Sequence, residues 1–296
     1  MKTRVLAALI MLPLLIFVYF GGKPLLAACF IVTVLALHEF YGGFSALGIR
    51  ASKVIGCVSV FFLYAIDLLP EAAPGYSFLS AVGLSGTHAI LYLFWIVIST
   101  VLSLLYLFKM DERRLEDSLA TMAGIFYIAF FIHFVVLVDK SGATSWMRWL
   151  IFSCTIGSDS FAYLTGVAIG KHKLCPKISP KKTIEGSIGG LLGSVGLCLL
   201  SGAIFAPMPL TAAGKRILKH CLAIGLLGGA AAQLGDLAAS AFKRKMGIKD
   251  YGNLIPGHGG VLDRFDSALF AAPFIYFYIA FVCGDSASVI LHSFGV

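Results

Sequence analysis

The sequence predicts an all-α, polytopic integral membrane protein with about nine transmembrane helices. Composition supports this fold class, because 59% of the 296 residues are hydrophobic and only 13% are charged, whereas soluble domains average about 25% charged residues. The apolar residues also form runs of roughly the 20 residues that a helix needs to cross a bilayer. The polar stretches between these runs are too short for a soluble domain.

Nine apolar runs can be placed approximately, at 4–20, 24–42, 54–70, 86–108, 119–138, 146–170, 184–207, 217–242 and 264–283. The first run has one feature of a signal peptide, because Lys2 and Arg4 precede it. No convincing cleavage site follows, and the segment 21–24 is typical of a tight loop between two spans. We therefore expect the first run to be retained as a transmembrane helix.

The placement of Lys and Arg predicts the orientation of the chain, because cytoplasmic loops of membrane proteins carry an excess of both. With the N-terminus inside, most basic residues, including the clusters at 171–182 and 243–249, fall on the cytoplasmic side. The cluster at 215–219 runs against this rule. The net charge of +8 is then mostly a cytoplasmic-face charge that suits anionic lipid, and we expect no nucleic-acid partner.

Glycine content predicts two regions with different tasks. Residues 1–140 are rich in Leu, Ile, Val and Phe, and we expect these N-terminal helices to face lipid or to form a dimer. Residues 141–296 are rich in glycine, with pairs four residues apart such as Gly186 and Gly190. Because this spacing lets helix backbones approach closely in lipid, we expect residues 141–296 to be a tightly packed catalytic region.

Asp159 and Asp236 lie inside apolar runs, where a charge costs about 2.5–3.5 kcal/mol on insertion scales. Each must therefore face protein, water or a cation. For Asp159, a hydrogen bond to a neighbouring helix and a functional role are both open. Asp236 shares a helix face with Ser240 and Lys243, so its carboxylate is expected to point toward the basic cluster at 243–249.

Asp263 and Asp266 are three residues apart at the start of the last run, and so share a helix face. Such a pair often does no more than cap a helix. Together with Asp236, however, they provide three oxygen donors of the kind that suits Mg²⁺, which takes one or two carboxylates and completes its shell with water and phosphate. We therefore favour a divalent metal site over a plain salt bridge.

The residues around these aspartates suit a phosphate ligand. Lys243, Arg244 and Lys249 would neutralise a triphosphate, and Arg264 would join them. The glycine-rich turn at 256–260 has few Cβ atoms and can present backbone N–H groups to a phosphate. Within this turn, His258 either bonds a phosphate oxygen or caps the turn.

A second basic cluster covers 171–186 and contains five lysines and two prolines, which keep this loop out of a helix. Its lysines face the same side as Lys243 and could form the second wall of an anion pocket. A polybasic loop that contacts lipid headgroups is the rival interpretation. Charge alone leaves both open.

Both clusters resemble sequences of the phosphatidate cytidylyltransferase (CDP-diacylglycerol synthase) family. The C-terminal signature of that family is matched by Ser240, Lys243-Arg244, Lys249-Asp250, 256–260 and 263–266. Upstream, 179–186 is similar to the family's SPKKTWEG, with Ile184 in place of the usual Trp, and 159–163 resembles the pattern that leads into it. The resemblance is strong over about 155–275.

The resemblance implies a nucleotidyltransferase that converts CTP and phosphatidate into CDP-diacylglycerol and pyrophosphate. It implies a bacterial-type cytoplasmic membrane enzyme, a homodimer, with its active site on the cytoplasmic side. Asp236 and Asp263 match the family's metal-binding aspartates, which are associated with Mg²⁺ and a K⁺ ion. Two alternatives are a CTP-dependent lipid kinase of the polyprenol type and a membrane transporter. A transporter predicts symmetric halves with broken helices, and the one-sided distribution of Gly and Asp argues against it.

The predicted site therefore has three sets of residues, of which the first two overlap. The predicted catalytic residues are Asp236, Asp263, Lys243 and Arg244, and the predicted metal ligands are Asp236, Asp263 and Asp266. The predicted phosphate- or nucleotide-binding residues are Lys181, Lys182, Thr183, Glu185, Ser240, Lys249, Asp250, His258, Gly259, Gly260 and Arg264. Asp159 is a further candidate.

Overall fold

Helices account for most of the structure, a computed structural model that describes residues 16–69, 87–108, 112–141, 146–205, 212–254 and 259–283. The helices are α1 (Gly22–Ser45), α2 (Lys53–Ile66), α3 (Thr87–Leu105), α4 (Leu115–Gly124), α5 (Phe131–Lys140), α6 (Arg148–Ile169), α7 (Ile184–Phe205), α8 (Ala212–Lys245) and α9 (Leu262–Tyr278). A 3₁₀ turn (Tyr106–Phe108) extends α3, and π-helical turns (Ile125–Phe130 and Ile279–Cys283) follow α4 and α9. The predicted all-α, multi-pass membrane fold is confirmed.

Six helical segments of the described chain are long and apolar enough to cross a bilayer: Gly22–Ser45, His88–Phe108, Leu115–Lys140, Ile184–Phe205, Gly214–Lys245 and Leu262–Val282. The predicted count of nine is not confirmed. Most of the first predicted run lies outside the described residues. Helix α2 has 14 residues, or about 21 Å, which is shorter than the hydrocarbon core of a bilayer. Helix α6 has 22 residues but is not among these six.

The chain forms two compact units, residues 30–130 and residues 1–29 with 131–296. In the unit of residues 30–130, buried hydroxyl groups link the helices. The Tyr41 hydroxyl donates to the carbonyl of Thr121 at 2.7 Å, and the Ser59 and Ser99 hydroxyls are 2.6 Å apart. The Trp95 indole N–H donates to the carbonyl of Ser59 at 2.8 Å. The predicted division of tasks at residue 140 stays a prediction.

In the unit of residues 1–29 and 131–296, glycines let α6, α7, α8 and α9 approach closely. A Cβ atom on Gly157 would lie 2.7 Å from the carbonyl oxygen of Gly193, and one on Gly190 would lie 2.8 Å from that of Ser158. A Cβ atom on Gly235 would lie 2.6 Å from the carbonyl oxygen of Asp266. Side chains at these positions would force the backbones apart, because contacts this short are repulsive.

A short antiparallel hairpin connects α6 to α7. Its strands are β1 (Lys173–Cys175) and β2 (Ser179–Thr183), with Lys173 opposite Thr183 and Cys175 opposite Ser179. The basic cluster at 171–186 was expected only to stay out of a helix. The hairpin instead gives two of its lysines, Lys181 and Lys182, fixed places on a strand.

Helix α8 is 34 residues long, or about 51 Å, which exceeds the hydrocarbon core by more than ten residues. It ends at Lys245 because Gly247 has a positive φ of 70°. The Ile248 N–H then bonds the carbonyl of Lys243 at 3.0 Å, a common way to close a helix C-terminus. One continuous helix therefore carries both Asp236 and the basic residues 243–245.

Candidate active site

A cavity of about 460 Å³ lies between α6, the hairpin, the start of α7 and α8. One face of α6 forms one wall, and hairpin and α8 residues form the others. Its lining residues are Ser158, Asp159, Ala162, Tyr163, Gly166, Val167, Lys173, Leu174, Lys181, Lys182, Thr183, Gly186, Ser187, Gln233, Asp236 and Leu237. The cavity therefore brings together Lys181, Lys182 and Thr183 of the first basic cluster and Asp236, which lies on the helix that leads into the second.

Lys182 of β2 and Asp236 of α8 form an ion pair in this cavity. The Lys182 Nζ lies 2.6 Å from the Asp236 Oδ2, and each side chain is 27% exposed. The Ser240 hydroxyl, one turn along α8, makes a long contact of 3.4 Å to the Asp236 Oδ1. Asp236 and Ser240 thus share a helix face, as the sequence predicts. The basic partner of Asp236 is Lys182 of the hairpin.

Two further carboxylates lie near Asp236. Asp159 of α6 and Asp266 of α9 are close enough to it for the three negative charges to act on one another. The Ser267 hydroxyl donates to the Asp159 Oδ2 at 3.2 Å, and the Ser267 N–H donates to the Asp266 Oδ1 at 2.8 Å. Asp159 therefore has the hydrogen bond to a neighbouring helix that was one of its two interpretations, and it also lines the cavity.

Asp263 has a different environment from Asp236. Its Oδ1 lies 2.7 Å from the Lys243 Nζ, and its Oδ2 accepts hydrogen bonds of 2.9 Å from the backbone N–H groups of Tyr251 and Gly260. The carboxylate is 3% exposed. Gly259 adopts a φ of 81°, and a Cβ atom there would lie 2.9 Å from the Asp263 Oδ2. Asp263 therefore organises the connection between α8 and α9.

The predicted metal ligands do not form one tight cluster. Among the described residues, no three His, Cys, Asp or Glu side chains are grouped as a metal site would require. Asp266 lies near Asp236, whereas both oxygens of Asp263 are engaged by Lys243 and by the connection. The donor set nevertheless fits Mg²⁺, which needs only one or two carboxylates beside water and phosphate. The Lys182 ammonium already pairs with Asp236, which shows that a positive charge is stabilised at this carboxylate.

Most of the other predicted phosphate-binding residues are exposed at the surface. Lys181 is exposed and lines the cavity, and the Arg244 Nε donates to the carbonyl of Ile178 in the hairpin at 3.3 Å. Lys249 and Arg264 are exposed, as is Asp250. His258 lies outside the described residues, so its predicted role stays a prediction.

Two predicted nucleotide-binding residues hold the hairpin in place. The Thr183 hydroxyl accepts a 3.1 Å hydrogen bond from the Gly186 N–H, and so caps the first turn of α7. The Glu185 carboxylate accepts hydrogen bonds from the Lys171 and His172 backbone N–H groups and lies 2.6 Å from the His172 Nδ1. These contacts fix the strand that carries Lys181 and Lys182.

One polar pair in the cavity wall was not predicted from the sequence. Ser187 of α7 donates its hydroxyl proton to the Gln233 side-chain oxygen, and the Gln233 amide donates to the Ser187 carbonyl at 2.9 Å. A signal for it was available, since Gln233 is a polar residue inside an apolar helix, three positions before Asp236 and therefore on the same face.

Comparison with known proteins identifies the family of the chain. Residues 2–282 match the model of the "Cytidylyltransferase family". The "Phosphatidate cytidylyltransferase" of Bacillus subtilis (strain 168) is 33% identical over 292 residues, which cover 95% of this chain and 98% of that protein. The protein of that name from Staphylococcus aureus (strain COL) is 34% identical over 276 residues, covering 92% and 95%. The predicted resemblance is confirmed, and the chain belongs to the cytidylyltransferase family.

Proposed function

We propose that this chain is a phosphatidate cytidylyltransferase, which converts CTP and phosphatidate into CDP-diacylglycerol and pyrophosphate. The observation that carries the proposal is the cavity in which the basic strand β2 faces the carboxylate of Asp236 on a membrane helix. Membership of the cytidylyltransferase family and the names of the relatives support the same reaction.

The chemistry explains why a basic cavity without an activated Ser or Cys is enough. A phosphate oxygen of phosphatidate attacks the α-phosphorus of CTP, so one P–O bond forms, and the bond to the β-phosphate breaks to release pyrophosphate. Both reactants are anions and repel each other. Lys181 and Lys182 reduce that repulsion and stabilise charge that develops on the leaving group. Holding the two phosphates in line lowers the entropic part of the barrier.

Asp236 and Asp263, with Asp266 near Asp236, are the proposed ligands of Mg²⁺, and a K⁺ ion is proposed beside it. When bound, Mg²⁺ would polarise the phosphoryl oxygens and neutralise the pyrophosphate. Lys243 and Arg244 are proposed to act with these residues, while Ser240, Lys249, Asp250, Gly259, Gly260 and Arg264 are proposed to surround the nucleotide phosphates. For Asp263, this role requires Mg²⁺ to share the carboxylate with the Lys243 ammonium and the two backbone N–H groups that hold it in the structure.

The proposed location is the bacterial-type cytoplasmic membrane, with the cavity open to the cytoplasm and the protein present as a homodimer. The excess of Lys and Arg in the hairpin and at the end of α8 supports this orientation. Phosphatidate can then keep its acyl chains in lipid, because α6 exposes Tyr163, Val167 and Ile169 beside the cavity.

The test is an assay of the purified protein in detergent with CTP, phosphatidate and Mg²⁺. We expect release of pyrophosphate and formation of CDP-diacylglycerol, and loss of both when EDTA is added. A CTP-dependent lipid kinase would instead give CDP and a phosphorylated alcohol, so diacylglycerol and a polyprenol serve as comparison substrates. Turnover of those alcohols without pyrophosphate release would contradict the proposal.

A further inference from the structure

Two lysine–aspartate pairs lie in the candidate active site, and they differ in how firmly the aspartate is held. Asp263 has three donors, namely the Lys243 ammonium and two backbone N–H groups, and the pair is largely buried. Asp236 has the Lys182 ammonium and only a long contact from Ser240. Its pair is 27% exposed and faces the cavity.

The charges around Asp236 favour a cation of higher charge than lysine carries. The carboxyl groups of Asp159 and Asp266 lie close enough to that of Asp236 to interact with it electrostatically. Within the described parts of the chain, Lys182 is the one cation within ion-pair distance of these three carboxylates, while Lys243 and Arg264 act on them from farther away. When all three carboxyl groups are ionised, a single ammonium leaves part of their negative charge unbalanced, and a dication would balance more of it.

We infer that Lys182 is an exchangeable counter-ion. It neutralises Asp236 when no nucleotide is bound, releases this carboxylate to the divalent cation that arrives with the nucleotide, and turns its ammonium to the triphosphate. The inference rests on the proposed function, since it takes Asp236 as a metal ligand. A lysine suits the task because its ammonium is a compact charge on a flexible stem, while the strand that carries it stays fixed.

The exchange couples the two ligands of the site. Without nucleotide, Lys182 competes with a divalent cation for Asp236, so the cation alone binds weakly. With nucleotide, the ammonium has a new anionic partner and the competition is relieved. Each ligand therefore raises the affinity of the other by the same factor, and the empty enzyme avoids an uncompensated cluster of carboxylates beside the membrane.

The experiment measures the affinity of the full-length protein in detergent for Mn²⁺ alone, by electron paramagnetic resonance of the free ion. Lys182→Gln and Lys182→Met remove the competing charge and are expected to bind Mn²⁺ about two- to fivefold more tightly than the wild type, the order expected for one partly exposed ion pair. Lys182→Arg keeps the charge and should bind like the wild type. Lys181→Gln is the matched control, because it removes the same charge from the same strand without touching Asp236; its Mn²⁺ affinity should change far less.

The outcomes separate this inference from the proposed function. Equal or weaker Mn²⁺ binding by both Lys182→Gln and Lys182→Met would overturn the exchange, as would an equal gain in Lys181→Gln. Wild-type Mn²⁺ binding by Asp236→Asn would instead remove the metal role of Asp236, while formation of CDP-diacylglycerol by the wild type would still stand. Thermal unfolding of each variant confirms that the titrated protein is folded.

Discussion

The two lysine–aspartate pairs of the candidate active site use the same chemistry in two different settings. The pair of Lys243 and Asp263 is largely buried and is tied to the backbone of the connection between α8 and α9. The pair of Lys182 and Asp236 is partly exposed and faces a cavity. Because breaking a buried pair leaves an uncompensated charge whereas exposed pairs contribute little stability, the first setting suits support and the second suits ligand exchange.

The largest effect is expected for activity in Asp236→Asn. Loss of this carboxylate should lower kcat/KM for CTP by about a hundredfold or more, because it removes a proposed metal ligand. The thermal stability should fall little, by about 1 kcal/mol at most, since the pair is partly exposed. Pyrophosphate release and thermal unfolding measure the two quantities. A large loss of stability with wild-type activity in the remaining folded protein would mean that Asp236, and not only Asp263, has a structural role.

Stability should respond most to Asp263→Ala. This change leaves the Lys243 ammonium and two backbone N–H groups without their acceptor, and we expect a loss of about 3 kcal/mol in the free energy of unfolding. Chemical unfolding in detergent measures it, with Asp250→Ala as the matched control because Asp250 is an exposed aspartate of the same connection. Equal stability of the two variants would show that burial does not distinguish the pairs.

A smaller loss is expected for Gly259→Ala. The positive φ of Gly259 is unfavourable for alanine, and the new Cβ atom would meet the Asp263 carboxylate. We expect a loss of stability of about 1–2 kcal/mol, together with weaker CTP binding. Gly247→Ala serves for comparison, since Gly247 also has a positive φ but has open space around it. A larger loss in Gly247→Ala would mean that the contact with Asp263 is unimportant.

The smallest effect is expected at the base of the hairpin. Thr183→Ala removes the hydroxyl that caps α7, which should lower stability by about 1 kcal/mol and raise KM for CTP, because Lys181 and Lys182 precede it on the same strand. Thr183→Ser keeps the hydroxyl and should restore most of both properties. If the serine variant behaves like the alanine variant, packing of the threonine methyl group, and not capping, explains the loss.

The sequence predicts the elements that depend on local patterns, and it fails where distant segments meet. Helices α1, α6 and α7 follow from apolar runs whose bounds differ from those of the helices by three residues or fewer. The ion pair between Lys182 and Asp236 joins residues that are 54 positions apart, so neither local pattern reveals it. The hairpin was missed because its strands are short and charged, and pairing between strands carries weak local signals.

The same limit applies to the aspartates. Residues 263–266 match the family signature, and the sequence places them correctly at the start of a helix. The signature does not reveal that Asp263 bonds to the Tyr251 and Gly260 backbone, or that Asp159 on α6 approaches Asp236 on α8. These arrangements depend on how closely the glycine-rich helices pack, which the spacing of glycines indicates only in general terms.

Hydrogen bonds hold the hairpin at three places. Glu185 accepts from the backbone just before β1, Arg244 donates to the turn between the strands, and Thr183 accepts from the first turn of α7. An anion that enters the cavity therefore meets ammonium groups whose main chain is already held by hydrogen bonds. Little conformational entropy has to be surrendered when the anion binds, because only side-chain torsions remain to be ordered. Removing any of these hydrogen bonds should accordingly lower the rate and the affinity of anion binding before it alters the rate of the chemical step.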